Sequence, residues 1–272
     1  MEKPKISVVT ICYNAETEIE ATMRSVLNQT YENVEYILVD GASHDGTLHV
    51  IRKVWEGYKG YKNKEIIIKS EPDKGIYDAM NKGIDLATGE WINFMNVGDR
   101  FADNNVVEDF FQKADTKEPN DLLYGDVILE YSFGRYHKDV SHKLMSNSMP
   151  CHQTIFARTS LMKKRHFNLK YKIAADLDFF VQALKSGSHY EYVPVTVACY
   201  KQYEGLSTSP WNWRKLELER YQIFNKPKDF HYHLLRLQYT LQKHFHIRNT
   251  WLNIDEKERK SVEADPYTRR ID

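Results

Sequence analysis

An apolar run, Glu90-Trp-Ile-Asn-Phe-Met-Asn-Val-Gly-Asp99, stops abruptly in a polar turn that carries one carboxylate. A divalent cation that neutralises a diphosphate needs hard oxygen donors and takes few of them from protein, so Asp99 with phosphate oxygens and water would suffice. Asn96 and Asp99 also suit a plain type I turn closed by local hydrogen bonds. Three earlier units have the same form. Thr10-Ile-Cys-Tyr-Asn14 sets Thr10, Tyr13 and Asn14 behind a β-branched run, where they could hold a base and its ribose or form an ordinary turn capped by Asn14. Asp40-Gly-Ala-Ser-His-Asp-Gly-Thr47 offers Asp40, Ser43 and Asp45. A carboxylate at a strand end can accept from a ribose hydroxyl or a base N–H, while Asp45-Gly46 also suits the start of a helix. Glu71-Pro-Asp-Lys-Gly75 brings Lys74 near a helix N-terminus, where it could meet a diphosphate beside backbone N–H groups or remain a solvated loop lysine. Asp78 and Asn81, three residues apart, share a helix face distinct from the apolar one and are expected to look into the cleft. Farther on, Ala174-Ala-Asp-Leu-Asp178 starts a helix, where Asp176 by itself reads as a cap.

These residues need elements to hold them. Ile6 to Ile11 and Val34 to Val39 are β-branched runs of the kind found in strands buried on both faces, and Glu65 to Lys69, with three successive isoleucines, and Trp91 to Met95 read as the third and fourth strands. Between them Ile19, Met23, Val26 and Leu27, then Leu48, Ile51, Val54 and Trp55, then Ile76, Met80, Ile84 and Ala87 recur at helical spacing. Strands alternating with helices imply right-handed crossovers and a mostly parallel sheet, so every strand's carboxyl end falls on one edge. The four polar units should therefore meet, where a doubly wound sheet places its ligand.

Beyond Asp99 the pattern shortens. Val106 to Phe111 is expected to be helical, and Leu122 to Leu129 and Tyr131 to Tyr136 to form antiparallel strands. Residues 137–150 should be loop, Cys151 to Ala157 should return to the sheet, Asp176 to Leu184 should be helical and Tyr190 to Tyr200 a strand. Trp211 to Phe245 reads as two helices broken at Asn225-Lys-Pro227, and the charged end, 251–272, as a frayed tail.

The chain has 272 residues with 38 Lys plus Arg against 38 Asp plus Glu, so bulk attraction to nucleic acid is not indicated. Cys12, Cys151 and Cys199 are scattered and have no zinc spacing, which fits a reducing compartment. No apolar run reaches the roughly 20 residues of a membrane span and no signal peptide is read, so the expected place is the cytoplasm.

The ordered series Ser7-Val-Val-Thr-Ile-Cys-Tyr-Asn14, Ser25-Val-Leu-Asn-Gln-Thr-Tyr31, Ile37-Leu-Val-Asp-Gly-Ala-Ser-His-Asp-Gly-Thr47, Asp73-Lys-Gly-Ile-Tyr-Asp-Ala-Met-Asn-Lys-Gly83 and Ala87-Thr-Gly-Glu-Trp-Ile-Asn-Phe-Met-Asn-Val-Gly-Asp99 resembles the family 2 glycosyltransferases over about residues 5–205. It is most similar to bacterial transferases that build capsule, exopolysaccharide or O-antigen units, the colanic-acid type among them. The resemblance implies a GT-A fold: a Rossmann-like, mostly parallel central sheet flanked by helices, with a small antiparallel acceptor-side sheet and C-terminal helices. The divisions would be a transferase domain over 1–208 (1–99 for the nucleotide sugar, 100–208 for the acceptor), a helical extension over 209–250 and the tail. It further implies a nucleotide-diphospho-sugar donor, with UDP as the family's usual carrier, and inversion at the anomeric carbon. The acceptor would be a saccharide or a lipid-linked one. By motif position, Thr10, Tyr13 and Asp40 would hold the nucleoside, with Lys74, Asp78 and Asn81 beside the donor. Asn96 to Asp99 stands where the family carries Asp-x-Asp, leaving Asp99 as the one carboxylate for Mn²⁺ or Mg²⁺. Ala175-Asp176 stands where the family has Glu-Asp, so Asp176 matches its general base. His152 and Gln153 resemble an acceptor-side pair, and Gly205-Leu-Ser207 a loop that closes over the donor.

Other classes fit less well. A dehydrogenase needs Gly-x-Gly-x-x-Gly after its first strand, and Tyr13-Asn-Ala-Glu-Thr is not that. A pyrophosphorylase would want a Gly-rich, Arg-bearing loop there. A non-catalytic sugar-nucleotide-binding scaffold shares all the residues but needs no base. In the C-terminal helices Trp211, Trp213, Phe224, Tyr232, Leu234, Leu235 and Phe245 lie among Arg214, Lys215, Lys226, Lys228, Arg236, Lys243 and Arg248. They are expected to pack on the domain or on a second copy, with peripheral contact at the inner face of an anionic membrane as the alternative.

Overall fold

The computed structural model describes residues 3–58, 65–116, 120–132, 134–140, 149–201, 212–245 and 254–271, with the side chains of 242–245 and 254–258 outside that description. The chain begins in the centre of its sheet. β1 (Ile6–Cys12) and β2 (Val34–Asp40) are buried at every position and pair in parallel, Ile6 opposite Val34 and Cys12 opposite Asp40. β4 (Trp91–Phe94) lies parallel to β1 on the other side, and β3 (Glu65–Ser70) parallel to β2. β3 is an edge, and its alternating exposed Glu65, Ile68 and Ser70 match that place.

Helices cover both faces. α1 (Ile19–Leu27), α2 (Thr47–Gly57) and α4 (Val106–Lys113) press Met23, Ile51 and Phe110 onto one face, in a core with Val8, Leu38 and Trp91. α3 (Ile76–Leu86), α5 (Thr159–Arg165), α6 (Ala175–Lys185) and α7 (Trp213–Ile223) press Met80, Met162, Phe179 and Ile223 onto the other, against Val9, Ile37 and Ile92. The fold is the expected α/β, GT-A-like sheet flanked by helices.

The second half extends the sheet rather than starting a separate one. β4 pairs antiparallel with β8 (Ile155–Arg158), β8 with β6 (Asn120–Tyr131), and β6 with β7 (Gly134–Lys138). β9 (His189–Lys201) runs parallel to β6 with register shifts and also holds the short β5 (Arg100–Phe101), completing ten strands with β10 (Thr268–Ile271). The two C-terminal helices are α7 and α8 (Phe230–Phe245), broken as expected near Asn225, whose φ is +49°. Within the expected frayed tail, 251–272, the described residues 254–271 are ordered instead. They contain α9 (Ile254–Ala264), and β10 pairs antiparallel with β7, Thr268 opposite Lys138, helped by a 2.9 Å Lys138–Asp265 ion pair. Composition alone could not show that β7 leaves an edge for this strand to satisfy. The short α5 and β5 were also not anticipated. Gly205–Ser207, read as a closing loop, lies outside the described residues.

One buried carboxylate ties the central strands to the turn before β4. Glu35 on β2, 1% exposed, accepts from the Ser7 hydroxyl of β1, from the Thr88 N–H and hydroxyl and from the Gly89 N–H (3.0 Å), and lies 3.0 Å from Lys5 Nζ. Burial opposes its charge, but the donors outweigh that and hold the carboxyl at about 2. This lies below its ordinary 4.5, so its stabilisation is complete above about pH 4.5 and is lost as pH falls toward 2. Glu35→Gln should lower the unfolding free energy at pH 7 by about 3 kcal/mol and flatten the acid limb, read by urea titrations between pH 2 and 7.

Candidate active site

The carboxyl ends of β1 to β4 converge as the topology requires, and their loops are sewn together before any ligand arrives. Asp40, fully buried at the end of β2, accepts from the Ser43 N–H (3.0 Å) and hydroxyl and from the Ser70 hydroxyl at the end of β3 (2.6 Å). Ser43 Oγ in turn accepts the Asn14 N–H (2.8 Å), and Asn14 Oδ1 accepts the His44 N–H (2.9 Å). Asn14 sits at φ +47°, a left-handed position that Asn tolerates. Asp45 accepts the Thr47 N–H (3.0 Å) at the start of α2 and the Glu16 N–H (3.2 Å). Asn14, Ser43 and Asp45 therefore organise the loops after β1 and β2. Gly41 lets Asp73 and Tyr13 close over them, since a Cβ there would meet Asp73 Oδ2 at 2.5 Å.

Beside this knot lies an apolar cleft of about 300 Å³ lined by Ile11, Cys12, Tyr13, Asp73, Gly75, Ile76, Ala79, Asn96 and Val97. Tyr13 is 58% exposed above it. Burial and the neighbouring Asp40 charge push the Cys12 thiol up to about 12, so it serves as a neutral wall. Asn96, Val97 and Ile76 are shared with a central cavity of about 220 Å³, which also meets Glu18, Tyr77, Asp99, His152, Gln153, Asp176 and Lys201.

In that cavity two carboxylates sit in opposite environments. Asp99, 8% exposed, accepts one hydrogen bond from Gln153 Nε2 (2.9 Å). Burial raises its carboxyl to about 6, and His152 and Gln153 offset this only in part. Its loop is fixed by Thr22, whose hydroxyl donates to the Asp99 carbonyl (2.7 Å) and accepts the Gly98 N–H (3.1 Å), Gly98 itself being at φ +93°. Asp176, at the second position of α6, is a quarter exposed. Its Oδ1 accepts the Leu177 N–H (2.9 Å) and lies 2.9 Å from the Tyr77 hydroxyl, which also reaches the Ile173 carbonyl (2.7 Å). His152 Nδ1 lies 3.6 Å from Asp176 Oδ2. Burial works against the Asp176 charge, but His152, the Leu177 N–H and Tyr77 outweigh it and hold the carboxyl below its usual range. Asn96 Nδ2 stands 3.1 Å from His152 Nε2, so His152 bridges Asn96 and Asp176.

Asn96 Oδ1 is buried with no hydrogen-bond partner. Among the described residues no group of three His, Cys, Asp or Glu forms a metal cage. A hard cation bound with a diphosphate does not need one. The orphaned Asn96 oxygen and the high-pKa Asp99 carboxyl, lining one cavity, fit such an ion.

Three expectations fail, for Thr10, Asn81 and Asp78. Thr10 is fully buried, its hydroxyl donating to the Met95 carbonyl (2.6 Å) and lying 3.0 Å from the Tyr36 hydroxyl. It lines neither the cleft nor the central cavity. Asn81, expected in the cleft, spends its amide on Phe167, donating to its carbonyl (2.9 Å) and accepting its N–H (2.8 Å). Asp78 accepts the Lys74 N–H (2.9 Å), and both line a small hollow with Leu169 and Tyr171, next to but outside the central cavity. Tyr77, Glu18 and Lys201 were passed over. Tyr77 stands within an apolar helical stripe and carries no separate signal.

A family model described as "Glycosyl transferase family 2" matches residues 7–180. A protein named "PGL/p-HBAD biosynthesis glycosyltransferase" from Mycobacterium bovis is 33% identical over 213 residues, 77% of this chain and 81% of that protein. Among solved structures, Staphylococcus aureus TarS 1-349 in complex with UDP-GlcNAc superposes with a TM-score of 0.60 at 19% identity, over 94% of this chain and 77% of that one. Glucosyl-3-phosphoglycerate synthase from Mycobacterium tuberculosis, in complex with Mn²⁺, UDP and phosphoglyceric acid, gives 0.60 at 14% identity over 82% and 80%.

Asp99→Asn should stabilise the ligand-free fold at pH 8 by about 1–3 kcal/mol. The carboxyl titrates near 6 in the fold against an ordinary 3.8, so its charge is a cost present above about pH 6 and gone below about pH 4. Thermal melts across that range check this, and a gain that does not depend on pH contradicts it.

Proposed function

The chain belongs to glycosyl transferase family 2 and is a glycosyltransferase, and from that premise we propose that it moves a sugar from a UDP-sugar to a hydroxyl of a saccharide or lipid-linked acceptor, with inversion. The observation that carries this is one cavity lined by both Asp176, held ionised, and Asp99, short of positive charge. Paired groups with their pKa values driven apart mark acid–base and charge-stabilising roles.

The base and ribose occupy the cleft beneath Tyr13, against Ile11, Cys12 and Ala79, with the Asp40 knot beneath them. The diphosphate runs toward Asn96 and Asp99, with Lys74 near its outer side. The acceptor hydroxyl enters beside His152 and Gln153. It attacks the anomeric carbon as the bond to the diphosphate breaks, and its proton passes to Asp176. His152 and Tyr77 keep that carboxylate oriented, and a positioned base of this kind contributes about 10²–10⁴-fold. Asn96 and Asp99 would hold Mn²⁺ or Mg²⁺, which when bound supplies charge stabilisation to the departing diphosphate. TarS with UDP-GlcNAc and the synthase with Mn²⁺ and UDP support the donor and cation classes by analogy of fold.

The resemblance to capsule, exopolysaccharide and O-antigen transferases and the naming of the mycobacterial relatives together favour a bacterial cell-surface glycoconjugate, built on the cytoplasmic side. No helix among the described residues is long and apolar enough to cross a membrane. α8 offers a different contact. Tyr232 and Leu235 are buried on its inner face, while Phe230, Leu234, Leu237 and Leu241 are exposed in one stripe. The helix carries no Asp or Glu, and Lys226, Lys228 and Arg236 flank the stripe, as for a peripheral site on anionic lipid.

Asp176→Asn should lower turnover about 10²–10⁴-fold while UDP affinity, read by calorimetry, stays within about twofold. Unchanged turnover removes the base. The double variant Phe230→Glu, Leu237→Glu should abolish flotation with anionic vesicles without lowering the melting temperature. Equal flotation of variant and parent counts against the lipid contact, and a change in oligomer size instead assigns the stripe to a second copy.

A further inference from the structure

The geometry points to Glu219, on α7, as a positioning residue for Asp176, an inference that rests on the base assigned above. Glu219 is 7% exposed and does not line the central cavity. Its Oε1 accepts the Lys172 N–H, and its Oε2 accepts both the Ile173 and Ala174 N–H groups, each at 2.9 Å. These three consecutive amides lead directly into α6, whose N-cap, Ala174, has no side-chain cap of its own. Three amides converging on one carboxylate form an anion nest, and here the anion is built into the chain. Its charge also faces the positive end of the α6 dipole.

The carboxylate grips the segment from one side and the reaction centre grips it from the other. The Ile173 N–H goes to Glu219, and the Ile173 carbonyl lies 2.7 Å from the Tyr77 hydroxyl, which lies 2.9 Å from Asp176 Oδ1. Glu219 therefore sets the height and rotation of the first turn of α6, and with them the distance from Asp176 to His152 and to the incoming hydroxyl. It also gives α7 a part in the reaction, although α7 lies beyond residue 180, where the family match ends. A misplacement of about 1 Å at a reacting group can cost about 10²-fold.

The test uses the full chain with Mn²⁺ and UDP-glucose, UDP-galactose or UDP-GlcNAc, whichever releases UDP fastest. Glu219→Ala should lower kcat about 10–100-fold while donor KM and UDP affinity stay within about twofold. Glu219→Gln, which keeps an oxygen for Ile173 and Ala174, should recover most of the loss, and it carries the comparison if the alanine variant does not fold. In an Asp176→Asn background, Glu219→Ala should add less than about twofold, because both changes then act through one group. Equal losses in both backgrounds, or KM and affinity worsening together with kcat, overturn the positioning role alone. Full turnover in Asp176→Asn by itself overturns the base, and Glu219 then has nothing to position.

Discussion

A carboxylate removed from water must find donors or a positive charge. Much of this protein follows from how that demand is met at each buried acid. Glu35 is saturated by the Ser7 and Thr88 hydroxyls, backbone N–H groups and Lys5, and binds three stretches of the central sheet. Asp40 is saturated by Ser43 and Ser70 and fixes the loops after β2 and β3. Glu219 is saturated by three amides and fixes the start of α6. Asp99 has Gln153 and little else, and its carboxyl is driven up accordingly. The contrast separates acids that build the framework from one kept short of charge.

Asp40 is sealed beneath its loop, yet its contact with Cys12 puts it one residue from the apolar cleft. That cleft and the central cavity share Ile76, Asn96 and Val97. Asp99 and Asp176 open into the central cavity, whereas Asp40, fully buried, lines neither it nor the cleft and sits behind Cys12.

The parallel half of the fold was legible because β1, β2 and β4 are buried on both faces, β3 carries three successive isoleucines, and the helices carry clean apolar stripes. Both signals are local. The convergence of Tyr13, Asn96, Asp99, His152, Gln153 and Asp176 followed from topology together with the motif series. Thr10 was misplaced because a motif position does not say which face of a strand a side chain takes, and Asn81 because the same helix face also meets the loop at Phe167. Glu35 and Glu219 were invisible for another reason. Their partners are largely backbone amides or distant hydroxyls, so nothing in the sequence near either residue announces the bond. Glu219 sits in Trp-Arg-Lys-Leu-Glu-Leu-Glu-Arg, a stretch that reads as a solvated, charged helix surface.

The pairing of β10 with β7 has a consequence for handling the molecule. β7 would otherwise present a row of open N–H and C=O groups, a template onto which another chain can add by strand exchange. β10 occupies that row and places Arg269 and Arg270, both exposed, on the new outer border. Trimming the last strand as a dispensable appendage would uncover a sticky margin, and the shortened protein would be prone to aggregate while its parallel half remained intact.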